Sequence, residues 1–323
     1  MGEFELIERY FARPLRPGSP FVLGGGDDCA LMAPRSGYEL AISSDMLVSG
    51  RHFFSDTDPE ALGYKSLAVN LSDLAAMGAQ PLGFTLALAL TEAKPNWLEA
   101  FSRGLYGCAD EFACELVGGD TTRGPLTIAI TIFGELPRGS ARLRSGARLG
   151  DDIWVSGHLG DAAFALAILE GRAHAPPEVL KAVRGALETP VPRVALGGLL
   201  RPLVHAMIDL SDGLAGDLGH VLKRSSLGAR IELRSIPMGP ELALQEPSLQ
   251  LSCQLSGGDD YELCFTAAPH ARAAIVSAGE SQGLKLWRIG STVAQKGIAF
   301  IEPDGSPVTL SPELTLKGFD HFG

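Results

Sequence analysis

The chain has 323 residues, of which 46% are hydrophobic and 20% charged, as in folded proteins of about two domains and unlike disordered chains. Its 27 Lys and Arg against 38 Asp and Glu give a net charge of −11, which disfavours binding to nucleic acid or to an anionic membrane. The longest apolar run, Gly83 to Leu90, is far shorter than the roughly 20 residues that span a bilayer. The acidic N-terminus lacks the bases of a signal peptide, so we expect a cytoplasmic protein.

The first half of the chain predicts a mixed α/β domain. One helix begins at Asp58-Pro59 and ends at Met77, because Pro at the first helical position and a following Gly are typical helix boundaries. A second helix runs from Pro95 to about Phe112. Apolar and β-branched runs bounded by Gly or Pro predict four strands, at Cys29–Ala33, Tyr38–Ser43, Phe84–Leu90 and Leu126–Glu135.

Residues 137–151 are rich in Arg and Gly and poor in apolar side chains, and we interpret them as a linker. The linker separates an N-terminal domain, residues 1–136, from a C-terminal α/β domain, residues 152–323. In the second domain the pattern predicts helices at Leu159–Glu170 and Gly213–Lys223, and strands at Ile153–Ser156, at Ala206–Leu210 and near Ile231, Tyr261, Trp287 and Ile298.

Two glycines followed by Asp occur three times, at residues 25–28, 118–120 and 257–260, each beside a predicted strand. A single copy is most simply a turn, because Gly and Asp are common turn residues. Three copies favour a site where several hard cations and phosphates meet, since Asp oxygens bind such cations and Gly lets backbone amides approach phosphate. Further acids accompany them in Ser43-Ser44-Asp45, at Asp73 and in Asp209-Leu210-Ser211-Asp212.

Asp73 is the most informative of these acids. Its predicted helix is apolar on almost all sides, yet it presents Asn70 and Asp73 three residues apart on one face. An unpaired carboxylate buried there is costly. The alternative partner, Lys65, lies two turns upstream, and we therefore favour a metal ion over a salt bridge.

Other candidates have simpler interpretations that stay open. Asp212 or Ser211 is a good N-cap for the helix that follows, although capping and metal binding are compatible. His52 is equally well explained as a surface histidine, and Arg144 as a solvated base in the linker. The Gly157–Gly160 turn is a possible anion site at a helix start.

Several familiar signatures are missing from the sequence. It has no Walker A loop, no strand-linked Gly-x-Gly-x-x-Gly, no Gly-x-Ser-x-Gly and no protein-kinase motifs. Its five cysteines are scattered without a Cys-x-x-Cys pair, so we expect buried thiols and neither a disulfide framework nor a zinc site.

Six segments, read together, resemble the thiamine-monophosphate kinase family of the aminoimidazole ribonucleotide synthetase-like superfamily. In chain order they are GGGDDCA (24–30), SSDMLVSGRHF (43–53), KSLAVNLSDLAAMGA (65–79), VGGDTTRG (117–124), IDLSDGLAGDL (208–218) and SGGDDYEL (256–263). The resemblance implies a two-domain α/β (α+β) architecture, with an N-terminal mixed sheet that dimerises and a C-terminal α/β domain. It also implies a homodimer that phosphorylates thiamine monophosphate to thiamine diphosphate with ATP and several Mg²⁺ ions.

The resemblance further implies roles for individual residues. The Mg²⁺ ligands correspond to Asp28, Ser43, Ser44, Asp45, Asp73, Asp120, Asp209 and Asp212. ATP corresponds to Gly119, Asp120, Arg144, Ser211 and Tyr106, and thiamine monophosphate to His52, Glu262 and an aromatic at Phe319, or at Phe322 in another register. No residue corresponds to a covalent nucleophile, so the resemblance implies direct, metal-assisted transfer.

Two alternatives accompany this interpretation. The first is another ATP-using enzyme of the superfamily, such as a cyclo-ligase or a selenophosphate synthetase; the latter calls for a reactive Cys near the N-terminus, whereas the first Cys here is Cys29, inside an acidic motif. The second is a regulator without enzymatic activity that uses the same acids to bind calcium or a nucleotide.

Overall fold

A computed structural model describes residues 2–310, which form two compact units. The first comprises residues 2–74 and 79–140, and the second comprises residues 75–78 and 141–310. In the described residues, no helix is both long enough and apolar enough to cross a membrane.

The first unit contains a four-stranded mixed sheet and three helices. Its elements are α1 (Glu3–Tyr10), β1 (Phe21–Leu23), β2 (Leu31–Met32), β3 (Tyr38–Val48), α2 (Pro59–Met77), β4 (Gln80–Leu90), α3 (Pro95–Glu111), β5 (Glu115–Arg123) and β6 (Thr127–Pro137). The strand order is β3-β6-β4-β5, antiparallel except between β4 and β5, and β1 pairs with β2 separately. The predicted helices are confirmed to within a residue or two, and the mixed sheet is confirmed. Strands β3 and β4 are longer than predicted, and the strand predicted at Cys29–Ala33 is the two-residue β2, outside the four-stranded sheet.

Alternation along the strands gives this sheet two different faces. On β6, Ile128, Ile130 and Ile132 are buried while the intervening residues are partly exposed. Gly134 of β6 lies against α2, since a Cβ there would come within 2.9 Å of a Leu74 methyl. The face that holds these isoleucines and meets α2 is called the inner face below, and the opposite one the outer face.

Helices α2 and α3 approach so closely that glycine is required on both. A Cβ at Gly104 of α3 would lie 1.8 Å from the carbonyl oxygen of Glu60, and one at Gly63 of α2 would lie 2.1 Å from that of Phe101. Neither distance is sterically possible without moving backbone. The two glycines therefore set the spacing of the helices.

The second unit is built around a six-stranded mixed sheet. Its elements are β7 (Asp152–Ser156), α4 (Asp161–Leu169), α5 (Pro177–Glu188), α6 (Val194–Leu200), β8 (Ala206–Asp209), α7 (Leu214–Ser225), β9 (Gly228–Glu232), α8 (Pro240–Ala243), α9 (Pro247–Ser256), β10 (Leu263–Ala267), α10 (Arg272–Ser281), β11 (Leu286–Val293) and β12 (Gly297–Ile301). The strand order is β12-β9-β11-β7-β10-β8, with only β12 and β9 parallel.

Both faces of this sheet are covered by helices. Ile153 of β7 and Ile208 of β8 pack with Leu218 of α7 on one side. Trp154 and Phe265, which alternate with them, pack with side chains of α6 and α10 on the other. This burial on both sides explains why every residue of β7, β8 and β10 is buried and why these strands are mostly apolar rather than alternating.

Three expectations from the sequence are corrected. Strand β5 was not predicted: it contains Gly118-Gly119-Asp120, whose glycines and acid hide the strand pattern. The strand expected at Tyr261 begins at Leu263, because Tyr261 has a left-handed φ of 49°. Cys29 is exposed, whereas the other four cysteines are buried as expected.

The close contact between α2 and α3 predicts that one added methyl group at Gly104 destabilises the first unit. Gly104→Ala should lower the free energy of unfolding by about 1 to 3 kcal/mol, because the added carbon overlaps the Glu60 carbonyl and overpacking has costs of this size. Urea denaturation measures the change.

Gly107→Ala on the same helix is the matched control. A Cβ at Gly107 meets nothing within 4 Å, so this change should stabilise the helix by up to about 1 kcal/mol. Equal effects of the two substitutions would contradict the close helix contact.

Candidate functional site

On the inner face of the first sheet, strand β3 meets the polar edge of helix α2. The Ser43 hydroxyl donates a hydrogen bond to Asp73 Oδ2, and the Asp45 amide donates one to Asn70 Oδ1 over 3.2 Å. Asn70 is held in turn by a bond from its Nδ2 to the Ser66 carbonyl. The structure thus brings together three of the predicted site residues, Ser43, Asp45 and Asp73.

Ser44 points the other way, because successive side chains of a strand alternate between faces. Ser43 and Asp45 pair with Ile132 and Ile130 on the inner face, whereas Ser44 pairs with Thr131. Its hydroxyl lies 3.1 Å from Thr131 Oγ1 and donates to the Ile130 carbonyl. The Ser44 side chain therefore lies away from Asp73, on the outer face.

The remaining acids of the first unit lie on separate elements. Asp28 is exposed in the loop before β2, where its amide bonds to Asp27 Oδ1. Asp120 is exposed on β5 and pairs with Ala87 of β4. The preceding Gly119 has a φ of 148°, and a Cβ there would lie 1.9 Å from the Leu86 carbonyl oxygen, so this position requires glycine.

His52 and Tyr106 are both fixed by backbone contacts. The Val48 amide donates to His52 Nδ1 over 3.0 Å, so a neutral ring carries its proton on Nε2. Tyr106 is buried and its hydroxyl donates to the Phe11 carbonyl over 2.7 Å, with the Arg13 guanidinium over its ring. Burial raises the pKa of Tyr106 to about 12. The Tyr106 hydroxyl is thus part of the core of the unit.

In the second unit, two motif loops run side by side. The Asp259 amide donates to the Ser211 carbonyl over 2.9 Å, and the Tyr261 amide to the Leu210 carbonyl over 2.8 Å. A Cβ at Gly258 would lie 2.4 Å from the Ser211 carbonyl oxygen, which explains the glycine. The structure therefore joins the third Gly-Gly-Asp-Asp copy to the loop that contains Ser211 and Asp212.

The cap of α7 differs from the expected one. Helix α7 has Gly213 at its N-cap with no side-chain capping bond, so neither Ser211 nor Asp212 caps it. Instead the Asp212 amide donates to Oδ2 of Asp217, in the first turn of α7. Asp217 was not predicted as a site residue; burial raises its pKa to about 7, and the positive charge of Arg144 opposes that rise.

Asp209 ends strand β8 and is buried, opposite Leu263 of β10. Arg144 is exposed, and its carbonyl accepts a hydrogen bond from Ser225. Phe319 and Phe322 lie outside the described residues.

Glu262 is 6% exposed and directly precedes β10. Its carboxylate accepts hydrogen bonds from Ser156 and from two nitrogens of Arg193. It lines a cavity of about 460 Å³, together with Gly157, Asp260 and Trp287 among others.

The Gly157–Gly160 turn, a possible anion site, is occupied by a carboxyl group of the protein itself. The Gly160 amide, at the start of α4, donates to Asp260 Oδ1 over 2.9 Å. Burial raises the pKa of Asp260 well above its usual value, and the negative charge of Glu262 contributes. The turn therefore binds the last acid of the Gly-Gly-Asp-Asp motif.

Within residues 2–310, no three His, Cys, Asp or Glu side chains converge closely enough to hold a metal ion by themselves. Sequence reasoning missed Arg193 and Asp217. A lone Arg after Pro192 gives no local signal, whereas Asp217 falls inside the 208–218 motif and could have been singled out there.

Comparison with known families covers both units. Residues 26–136 match the family described as AIR synthase related protein, N-terminal domain. Residues 148–302 match AIR synthase related protein, C-terminal domain. These matches confirm the expected two-part α/β architecture.

Curated relatives match over almost the whole chain. Thiamine-monophosphate kinase of Escherichia coli K12 is 47% identical over 99% of this chain and 98% of the relative. Thiamine-monophosphate kinase of Haemophilus influenzae is 40% identical over 100% of this chain and 98% of the relative.

Solved structures agree with these relatives. The crystal structure of thiamine-monophosphate kinase from Stenotrophomonas maltophilia has a TM-score of 0.84 at 45% identity, covering 90% of this chain and 93% of the other. AaThiL complexed with AMPPCP and TMP has a TM-score of 0.76 at 29% identity, covering 90% and 89%. Hydrogenase maturation protein HypE shares the fold, with a TM-score of 0.70 at 20% identity over 96% of this chain and 95% of the other. The chain therefore belongs to the thiamine-monophosphate kinases of the AIR synthase related family.

Proposed function

We propose that this chain transfers the γ-phosphate of ATP to thiamine monophosphate, forming thiamine diphosphate and ADP. The observation that carries the proposal is the contact between Ser43 and Asp73, with Asp45 beside them, in a chain that matches thiamine-monophosphate kinases over nearly its full length. The ligands named for the AaThiL complex, AMPPCP and TMP, support the same pair of substrates.

Such a reaction needs no strong general base. The acceptor is a phosphate monoester with a second pKa near 6, so its oxygen is largely ionised at neutral pH. The main difficulty is electrostatic, because two anionic groups have to approach in a protein whose net charge is −11.

The residues of the first unit fit Mg²⁺ as the ion that accompanies ATP. Ser43, Asp45 and Asp73 offer only oxygen donors, which suit a hard cation. Mg²⁺ usually takes one or two protein carboxylates and completes its shell with substrate phosphates and water, so a cage of three protein acids is not required. When bound, Mg²⁺ supplies the positive charge that screens the phosphates.

We therefore propose as Mg²⁺ ligands the acids Asp28, Asp45, Asp73, Asp120, Asp209 and Asp212, with the Ser43 hydroxyl and the Ser44 carbonyl. The carbonyl is named for Ser44 because its side chain lies on the outer face. The chain's own role is to fix these oxygens in advance: Ser43 orients the Asp73 carboxylate, and Asn70 holds the backbone at Asp45.

For ATP we propose Gly119, Asp120, Arg144 and Ser211, and for thiamine monophosphate we propose His52, Glu262 and Phe319. Tyr106 is left out, because its hydroxyl bonds to Phe11 inside the core. A flat cationic ring is well matched by an acid such as Glu262 and by an aromatic face.

One assay tests the proposed reaction. Phosphoryl transfer from ATP is measured with thiamine monophosphate, thiamine or aminoimidazole precursors as acceptor. We expect thiamine diphosphate with the first acceptor only, whereas turnover with an aminoimidazole precursor would indicate a cyclo-ligase, and binding without turnover a regulator.

Asp73→Asn should reduce turnover at least about a hundredfold, because the amide cannot replace a carboxylate beside a metal ion. In buffer free of divalent ions the variant should melt no lower than the wild type, since a partly buried charge has been removed. Steady-state kinetics and thermal unfolding measure the two effects.

Asp110→Asn is the control for this prediction. Asp110 is an exposed aspartate of the same unit that pairs with Arg13 and Arg16, and its loss should leave turnover unchanged. A destabilised but active Asp73→Asn variant would show that Asp73 has only a structural role.

We further propose that transfer is direct, without a phosphorylated enzyme. No His or Ser is assigned as a nucleophile, and a covalent intermediate gives no advantage when donor and acceptor are held together. ATP with a chiral γ-phosphate should then give product with inverted configuration at phosphorus; retention would indicate two successive transfers.

The outer face of the first sheet supports a homodimer. Leu40, Ile42 and Met46 alternate along β3 and are 41%, 62% and 57% exposed, and β3 is an edge strand of its sheet. An exposed edge with apolar side chains favours association, and a two-fold dimer requires such a patch to be self-complementary. We propose that a second copy of the chain covers this face.

Leu40→Arg should weaken the dimer, because burial of the apolar stripe would then enclose an unpaired charge. Leu199→Arg, in α6, is the control, since Leu199 is also 41% exposed but lies in the other unit. Light scattering coupled to size exclusion gives the mass of each variant. Dimers of equal stability in both variants would exclude this face as the interface.

A further inference from the structure

The Glu262 carboxylate is held in the wall of its cavity by hydrogen-bond donors from Arg193 and Ser156. Arg193, which directly precedes α6, donates from Nε to Oε2 over 2.7 Å and from Nη2 to Oε1. The Ser156 hydroxyl donates to Oε2 and itself accepts the Leu263 amide over 2.9 Å, so it is fixed in place. These bonds use three of the roughly four acceptor positions of a carboxylate, which leaves capacity on Oε1 for a bound molecule.

The rest of the wall shows why a cation is needed beside Glu262. Two further carboxyls, Asp161 and Asp260, line the same cavity. Among the described residues, one buried oxygen of each, Asp161 Oδ1 and Asp260 Oδ2, has no hydrogen-bond partner. Burial raises the pKa of both Asp161 and Asp260, so negative charge is costly in this wall, and the Arg193 guanidinium compensates the charge of Glu262.

A glycine provides the space that the Glu262 carboxylate occupies. Gly157 follows β7 with a φ of 59°, and a Cβ at this position would lie 1.9 Å from Glu262 Oε1. Any side chain here would push the carboxylate out of place. Arg193 holds the carboxylate by two hydrogen bonds, and Gly157 leaves the space that it occupies. The two residues therefore fix its position by independent means.

The cavity also has an aromatic ring, with one of the protein's own cations over its face. The Lys285 ammonium nitrogen lies 3.4 Å from the ring centroid of Trp287, and both residues line the cavity. Lys285 is exposed, and once its side chain leaves the ring, the Trp287 face and the nearby carboxyls match the chemistry of a positively charged heteroaromatic molecule.

We propose that Arg193 is a positioning residue for the acceptor: by clamping Glu262 against Gly157, it presents the remaining oxygen lone pair to the cationic heteroaromatic part of the acceptor. This rests on the proposed function, in which Glu262 contacts thiamine monophosphate. Arg193 itself acts through Glu262 and need not touch the acceptor.

The test uses two variants that displace Glu262 by different means. Arg193→Gln removes the clamp, and Gly157→Ala fills the space. Each should weaken binding of thiamine monophosphate about tenfold or more, measured by titration calorimetry without ATP, and should raise the KM of the acceptor by a similar factor. The kcat and the KM of ATP should change less than about twofold, since Glu262 is not assigned to ATP.

Chemical rescue separates positioning from general damage to the fold. Arg193→Ala should regain acceptor affinity in millimolar guanidinium chloride but not in sodium chloride of equal ionic strength, because the planar ion restores the paired donors next to Glu262. Glu262→Ala should lose affinity and show no rescue.

Arg272→Gln is the matched control. Arg272 clamps buried Asp152 in the same geometry, with Nε at 2.6 Å and Nη2 at 2.7 Å, in the same unit but outside the cavity lining. It removes a paired arginine clamp from another buried carboxylate of the unit and should leave acceptor affinity unchanged.

Three outcomes overturn the inference. They are unchanged acceptor affinity in Arg193→Gln, an equal loss of ATP and acceptor affinity, and an equal effect of Arg272→Gln. If the wild type turns over thiamine monophosphate and the Arg193 variants have the same acceptor affinity as the wild type, the role of Arg193 is refuted while the proposed function stands. A wild-type protein that neither binds nor phosphorylates this acceptor refutes the proposed function and the inference with it.

Discussion

The first unit depends on one constraint: helix α2 has to place a polar edge against a sheet whose inner face is otherwise apolar. Asn70 is 1% exposed, and burial of an unsatisfied amide or carboxylate in such a place is costly. Strand β3 removes that cost because Ser43 and Asp45 fall on the same face, two residues apart, and bond to Asp73 and Asn70. A shift of β3 by one residue would replace them with Ser44 and lose both contacts.

The same constraint gives the two faces of the sheet different roles. Residues of β3 that point inward bring oxygen donors to α2, and those that point outward form the apolar stripe of Leu40, Ile42 and Met46. A single strand thus carries both the proposed metal ligands and the proposed dimer contact. Because its period is two, substitutions on one face can be tested with little direct effect on the other.

The second unit meets an opposite problem, several buried carboxyl groups whose negative charge is costly. Asp217 and Asp260 have raised pKa values because of burial, and Glu262 is held by Arg193. Backbone amides of Asp212 and Gly160 stabilise the first two carboxyls. Such an arrangement has limited tolerance for a further acid and favours ligands that bring positive charge.

By itself, the sequence determined the mixed α/β class, helices α2 and α3, most strands of both sheets except β5, and the family. Apolar period, Pro and Gly boundaries and the Gly-Asp motifs are local features. Tertiary structure alone decided what the three Gly-Gly-Asp copies do: the first is an exposed loop, the second lies within strand β5, and the third packs on the loop before α7. It also decided that Ser43 meets Asp73, that Ser44 points away, and that Arg193 holds Glu262 from 69 residues away in the chain. The physical reason is that strand register and long-range ion pairs are set by which surfaces pack together, and local sequence carries no signal for a partner so distant.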